Sequence, residues 1–161
     1  MSTRFTRRAL IAAVAALPAL SLSRAFAAAP LPKVVVHKDP SCGCCGAWVE
    51  HLRQTGFPVD VIETGAINRV KARLGVPDDL ASCHTAEVGG YIIEGHVPAA
   101  SIKRLLAERP AAKGLAVPGM PAGSPGMDVP GAPPEAYAVI LFGPSGQRPF
   151  ARYRGARELA R

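Results

Sequence analysis

The stretch Asp39-Pro40-Ser41-Cys42-Gly43-Cys44-Cys45-Gly46 gathers three of the four cysteines of this 161-residue chain. An apolar, β-branched run at Val34-Val35-Val36 precedes it, and a helical pattern from Cys45 to Thr55 follows it. The sequence therefore predicts a strand-to-helix turn that holds its thiols at the helix N-terminus. Unpaired backbone N–H groups and the positive end of the helix dipole favour thiolate there, so we expect lowered cysteine pKa values.

Residues 1–29 have the pattern of a secretory signal peptide. A basic start that includes Arg7 and Arg8 leads into an apolar run, and cleavage is predicted after Ala27 or Ala29. The arginine pair also fits the twin-arginine export route, and the general secretory route stays an open alternative. We expect residues 30–161 to form one domain that works in a bacterial periplasm.

The charge of the chain argues against nucleic acid as a partner. Removing the four arginines of residues 1–29 from the net charge of +7 leaves +3, which is too mild to indicate nucleic acid. No later segment is long and apolar enough to span a membrane, so no span is expected once the leader is removed. Exported cysteines usually form structural disulfides, but pairing within this cluster would close almost no loop. The thiols therefore indicate chemistry rather than cross-linking.

The rest of the chain alternates strand and helix patterns. Predicted strands cover residues 33–38, 58–62, 86–88 and 91–94, and predicted helices cover residues 45–55, 66–74 and 99–108. A long segment rich in proline and glycine, residues 110–135, carries Met120 and Met127, and a final hairpin runs from Tyr137 to Tyr153. This order predicts an α/β, thioredoxin-like, three-layer fold with a C-terminal β-hairpin extension.

A metal site is the first interpretation of the cysteines, and its candidate ligands are Cys42, Cys44, Cys45 and Cys83. Thiolates are soft ligands that select Cu(I), zinc or iron–sulfur centres. Zinc usually takes C-x2–4-C pairs, whereas the crowded C-x-C-C spacing suits sulfurs shared between several copper ions, so zinc is the weaker alternative. We expect Cys83 to face the cluster because it enters the strand that should lie beside the first.

Histidines and methionines supply further candidates, as extra ligands or as groups that support a ligand: His84, His37, Met120 and Met127. His84 would hold a thiolate by a hydrogen bond, and thioether sulfur is a soft copper ligand. The alternatives left open are structural or exposed histidines and a loop with incidental methionines. His96 is expected to be a structural histidine, and His51 lies too far along the helix from Cys44 to be a ligand.

The chain also carries several motifs in order: the cysteine cluster, Ser82-Cys83-His84-Thr85, Val88-Gly89-Gly90-Tyr91, Glu94-Gly95-His96-Val97-Pro98 and Gly114-Leu115-Ala116-Val117-Pro118-Gly119-Met120-Pro121. Together, from about Lys33 to Tyr153, they resemble the CopG-like periplasmic copper-binding proteins, long catalogued as a domain of unknown function. The resemblance implies a thioredoxin-like fold and a role in copper resistance. It also implies a cysteine-bridged cluster of several copper ions on the four cysteines and interconversion of Cu(I) and Cu(II).

Two functions compete. The first is a periplasmic copper-binding protein in copper resistance or homeostasis, with copper ions and other periplasmic copper-handling proteins as partners. The second is a periplasmic thiol–disulfide oxidoreductase that uses Cys42 and Cys45. Disulfide exchange needs one attacking and one resolving thiol, so the additional Cys44 and Cys83 favour copper. The sequence leaves open whether the protein is an enzyme, such as a copper oxidoreductase.

Overall fold

The computed structural model describes residues 30–128 and 130–160 and shows a mixed α/β protein. The predicted signal peptide, residues 1–29, lies outside the described residues. Within the described ranges, eight strands form one sheet that is accompanied by three α-helices and one 3-10 helix. None of the helices in these ranges has the length and apolar character that a membrane crossing needs.

The strands β1 to β8 span Val34–Lys38, Val59–Glu63, His84–Val88, Tyr91–Glu94, Gly114–Ala116, Ala136–Gly143, Gly146–Arg154 and Arg157–Glu158. The helices α1 to α3 span Gly43–Gln54, Ile67–Leu74 and Ala99–Glu108, and the 3-10 helix spans Asp78–Leu80. The strand order in the sheet is β2-β1-β3-β4-β5-β6-β7-β8. β1 pairs with β2 in parallel, as predicted for two strands joined by α1, and with β3 in antiparallel orientation.

Different helices cover the two faces of the sheet. Successive residues of a strand point to opposite faces. Ile93 of β4 therefore packs in the larger core cluster with Trp48 of α1 and Ile102 of α3. Its neighbour Ile92 belongs to a second cluster, on which Leu74 of α2 packs. The sheet thus lies between α1 and α3 on one side and α2 with the 3-10 helix on the other.

The main differences from the prediction concern α1, β3 and residues 110–135. α1 begins at Gly43 rather than Cys45, because Cys42 has extended backbone angles and acts as the N-cap residue. β3 begins at His84 rather than Ala86, because its pairing with β1 continues to the end of that strand. Residues 110–135 are not a continuous loop, since β5 lies within them and pairs with both β4 and β6. A strand of three residues is too short to produce a recognisable pattern, and its neighbours in the sheet stabilise it.

The C-terminal hairpin is present as predicted. β6 and β7 pair in antiparallel orientation, with a bulge between Val139 and Ile140, and β8 pairs with the far side of β7. These strands extend the sheet beyond β5. The thioredoxin-like assignment is finer than the mixed α/β architecture and stays a prediction.

Candidate metal centre

The cysteine motif forms the N-terminus of α1, as predicted. Cys42 is the N-cap residue, and Cys44 and Cys45 lie in the first turn of the helix. The backbone N–H and the hydroxyl of Ser41 donate to Oδ1 of Asp39, and these two hydrogen bonds lower the pKa of the Asp39 carboxyl. The N–H of Cys42 donates to the carbonyl of Asp39 at 3.0 Å. This turn therefore fixes how the chain enters the helix and where its sulfurs point.

The four cysteine sulfurs form one group. Cys42 and Cys45 are joined by a disulfide, while Cys44 and Cys83 are free thiols. Sγ of Cys44 lies 3.5 Å from Sγ of Cys42 and 4.0 Å from Sγ of Cys83. All four sulfur atoms lie within 4.8 Å of one another. The disulfide closes almost no loop, so its contribution to stability through chain entropy is small.

Cys83 is distant from the cysteine motif in sequence and immediately precedes β3. Because β3 lies beside β1, the strand that leads into the motif, Cys83 reaches the other three cysteines. The pKa of its thiol is raised to about 11, chiefly by burial and in second place by a negative charge on Cys44. Cys83 is therefore a neutral thiol near pH 7 in the metal-free protein.

Two buried histidines flank the thiol of Cys83. Nδ1 of His84 lies 3.2 Å from its sulfur, and Nε2 of His96 lies 3.1 Å from it. The carbonyl of Pro125 can only accept, so Nδ1–H of His96 donates to it, at 2.8 Å. Burial lowers the pKa of His96, so its ring is neutral and presents an unprotonated Nε2 to the sulfur. Metal-binding histidines usually have their second nitrogen anchored in this way.

His84 is fully buried, and its ring packs on Trp48 with 4.3 Å between the centroids. Its Nε2 has no hydrogen-bond partner among the described residues. Burial holds the pKa of His84 well below its usual value, and His96 and Lys71 add to that effect. Ligand atoms of Cys83, His84 and His96 lie within 4.8 Å of one another, so these residues form a second group that could hold a metal.

His96, which the sequence predicts to be a structural histidine, contacts the sulfur of Cys83. It follows β4, which pairs with β3 in antiparallel orientation, and this pairing returns the chain to Cys83. The hairpin pattern about Gly89-Gly90 already indicates that His96 lies near Cys83, because a hairpin places the residues before β3 beside those after β4. What the pattern could not show is that the ring of His96 turns inward to the sulfur.

Two other histidines have structural contacts. Nε2 of His37 lies 3.2 Å from the carboxylate of Glu87 on the neighbouring strand. Nε2 of His51 accepts the backbone N–H of Ala99 at 3.2 Å, which ties α1 to the start of α3. For His37, which was a candidate ligand, this contact favours the alternative of a structural histidine. Ligation by Met120, which is 53% exposed, and by the half-buried Met127 stays a prediction.

Residues 118–128 form a segment that lies over the cysteine turn, and we refer to it as the strap loop. The hydroxyl of Ser82 donates to the carbonyl of Gly119 at 2.5 Å, and the buried hydroxyl of Ser124 donates to the carbonyl of Pro121. Gly126 lies so close to α1 that a Cβ atom there would meet the backbone nitrogen of Trp48 at 2.6 Å. Glycine is required here for two reasons: a side chain would overlap α1, and φ of Gly126 is positive, a conformation that favours glycine. The strap loop is thus docked on the site.

Comparisons with known proteins identify the family of the chain. A family model described as "Protein of unknown function, DUF411" matches residues 80–127, which include Cys83, His84, His96 and most of the strap loop. Two solved structures, "Copper resistance protein copG- Form 2" and "Form 1", are each 44% identical to the chain, with a TM-score of 0.72. The match covers 76% of this chain and 98% of Form 2, and 78% of this chain and 99% of Form 1. No curated protein sequence matches significantly. The chain therefore belongs to the CopG-like DUF411 family.

Proposed function

We propose that this protein binds copper through the thiolates of Cys42, Cys44, Cys45 and Cys83 and serves in copper resistance or homeostasis. The observation that carries the proposal is that two separate parts of the chain bring four cysteine sulfurs within 4.8 Å of one another. The donor set fits Cu(I), because thiolates are soft ligands. Two solved structures of 44% identity bear the name of a copper resistance protein, which supports the same metal.

We propose further that several copper ions are bound together. Each thiolate can bridge two ions, and the crowded C-x-C-C spacing suits shared sulfurs better than the C-x2–4-C pairs that usually bind a single zinc ion. The ring nitrogens of His84 and His96, both beside the sulfur of Cys83, add donors to the same site. Sulfur suits Cu(I) and imidazole suits Cu(II), so the mixed donor set supports a protein that handles both oxidation states.

Binding by all four thiolates requires the reduced protein, because the disulfide occupies the sulfurs of Cys42 and Cys45. A thiol–disulfide oxidoreductase would also use this pair. That alternative is not favoured, because it leaves the third thiol of the turn, the buried thiol of Cys83 and the two histidines beside Cys83 without a role.

We also propose that the functional protein is exported to the periplasm and consists of residues 30–161 in a thioredoxin-like fold. The pattern of residues 1–29 supports export, and the copper-resistance names of the relatives are consistent with it. The strand order β2-β1-β3-β4, with α1 joining the two parallel strands, supports the fold.

Anaerobic titration of the reduced protein with Cu(I) tests the proposed function. We expect saturation above one ion per chain, and saturation at one ion or fewer would contradict the multinuclear site. Absence of binding would contradict the function itself. Insulin reduction at the rate of a thioredoxin, abolished by Cys42→Ser, would instead support the oxidoreductase alternative.

A further inference from the structure

A fully buried carboxylate lies directly behind the dipeptide Cys83-His84. Oε1 of Glu94 accepts the backbone N–H of Ser82 at 2.6 Å, and Oε2 accepts the hydroxyl of Thr85 at 2.6 Å. The same carboxylate thus binds the residue before Cys83 and the residue after His84. Hydrogen bonds to an ionised acceptor are shorter and stronger than neutral ones, so these contacts restrict the dipeptide from both sides.

The charge of this carboxylate is balanced from another element. Lys71 of α2 is buried, and its ammonium donates to Oε1 of Glu94 at 2.6 Å and to the hydroxyl of Thr85 at 3.0 Å. A buried ion pair is no more stabilising than apolar side chains of the same volume, because removing both charges from water is unfavourable. Stability alone therefore does not account for this pair. What the pair provides is a set of directed hydrogen bonds to the chain segment that carries Cys83.

The residues next to Glu94 in sequence also contact the Cys83 segment. The N–H of Gly95 donates to the carbonyl of His84 at 3.0 Å, and Nε2 of His96 lies 3.1 Å from the sulfur of Cys83. A Cβ atom at Gly95 would lie 2.6 Å from the side chain of Ser82, so the two segments are in tight contact. The segments before β3 and after β4 therefore form one packed unit with Glu94 at its base.

We propose that Glu94 and its counter-ion Lys71 are positioning residues that hold the Cys83 thiol toward the three cysteines of the α1 turn. Cys83 is the one member of the four-cysteine group that lies outside the turn at the start of α1, so its position depends on the segment that precedes β3. The consequence of this positioning for copper binding rests on the proposed copper function. Its structural part concerns the metal-free protein and can be tested without copper.

The test replaces the pair so that no buried charge is left alone. In Lys71→Met with Glu94→Leu we expect a folded protein in which Cys83 is alkylated faster. The rate should rise by roughly tenfold relative to Cys44 in the same reduced, metal-free sample, because a strong hydrogen bond that restrains the segment is lost. Mass spectrometry resolves the two thiols. Lys71→Met with Glu94→Gln, which keeps an acceptor for Ser82, should restore much of the protection.

Two further variants control the experiment. Arg104→Met with Glu158→Gln removes a partly exposed ion pair between α3 and β8, and it should leave the ratio of the two alkylation rates unchanged. Thr85→Val removes a single hydroxyl from the network with little change of volume, and it should raise the ratio even if the double variant fails to fold. An unchanged ratio in both the Lys71/Glu94 variant and Thr85→Val would overturn the proposal.

Copper binding then links the positioning role to function. The Lys71→Met, Glu94→Leu variant should bind fewer Cu(I) ions than the wild type, and this loss should disappear when Cys83→Ser is already present, because the pair acts through that thiol. A loss of the same size in the Cys83→Ser background would refute action through Cys83. A wild type that binds no copper would refute the proposed function, whereas the alkylation ratio would still decide the positioning role.

Discussion

Replacing Gly126 with alanine should detach the strap loop from α1. The φ angle of Gly126 is +81°, in the left-handed region, where an alanine is less stable by roughly 1–2 kcal/mol. The new methyl group would also lie 2.6 Å from the nitrogen of Trp48 and 3.0 Å from the carbonyl oxygen of Cys44. These are backbone atoms, which cannot rotate away, so relieving the overlap should cost about 1–3 kcal/mol more. The expected total is a loss of about 2–5 kcal/mol.

Gly131 offers a matched control in the same part of the chain. Its φ angle is +80°, and a Cβ atom there would meet nothing within 4 Å. Gly131→Ala should therefore lose only the backbone term, roughly 1–2 kcal/mol. Urea unfolding of the two metal-free variants measures the difference, and amide exchange at the strap loop shows whether the loss is local. Equal losses for Gly126→Ala and Gly131→Ala would refute the view that close contact with α1 holds the loop in place.

Two pH experiments follow from the buried groups at the site. Copper must displace the proton of Cys83, whose pKa is about 11, so the affinity for Cu(I) should rise with pH between about 7 and 9. This thiol should contribute up to about a tenfold increase in affinity per pH unit. A Cys83→Ser variant whose affinity has the same dependence on pH would contradict this prediction. The pKa of His84 is lowered on folding, so the unfolded chain binds its proton more readily, and the free energy of unfolding of the metal-free protein should fall as the pH drops below about 6.5. The slope from this residue should reach about 1.4 kcal/mol per pH unit and disappear in His84→Asn, as urea unfolding at several pH values would show.

The local parts of this protein could be predicted from its sequence. A β-branched run, a turn of Asp39, Pro40 and Ser41, and a helical pattern follow one another without interruption, so β1, the cysteine turn and α1 were all expected. The position of three thiols at the helix N-terminus follows from these residues alone, because each element is set by its own periodicity. The parallel pairing of β1 with β2 follows in the same way, since one helix joins the two strands.

The tertiary structure decided which distant residues meet at the thiols. The ring of His96 reaches Cys83 because β4 pairs with β3. Glu94 and Lys71 meet behind the Cys83 segment because α2 packs on the face of the sheet that carries Glu94. The proline- and glycine-rich pattern of the strap loop predicts no particular contact, yet Gly126 lies against the first turns of α1. A local pattern shows which face of an element is apolar, but it carries no information about the partner of a given polar side chain. That choice depends on hydrogen bonds and close contacts that form between segments far apart in the chain, once the sheet has assembled.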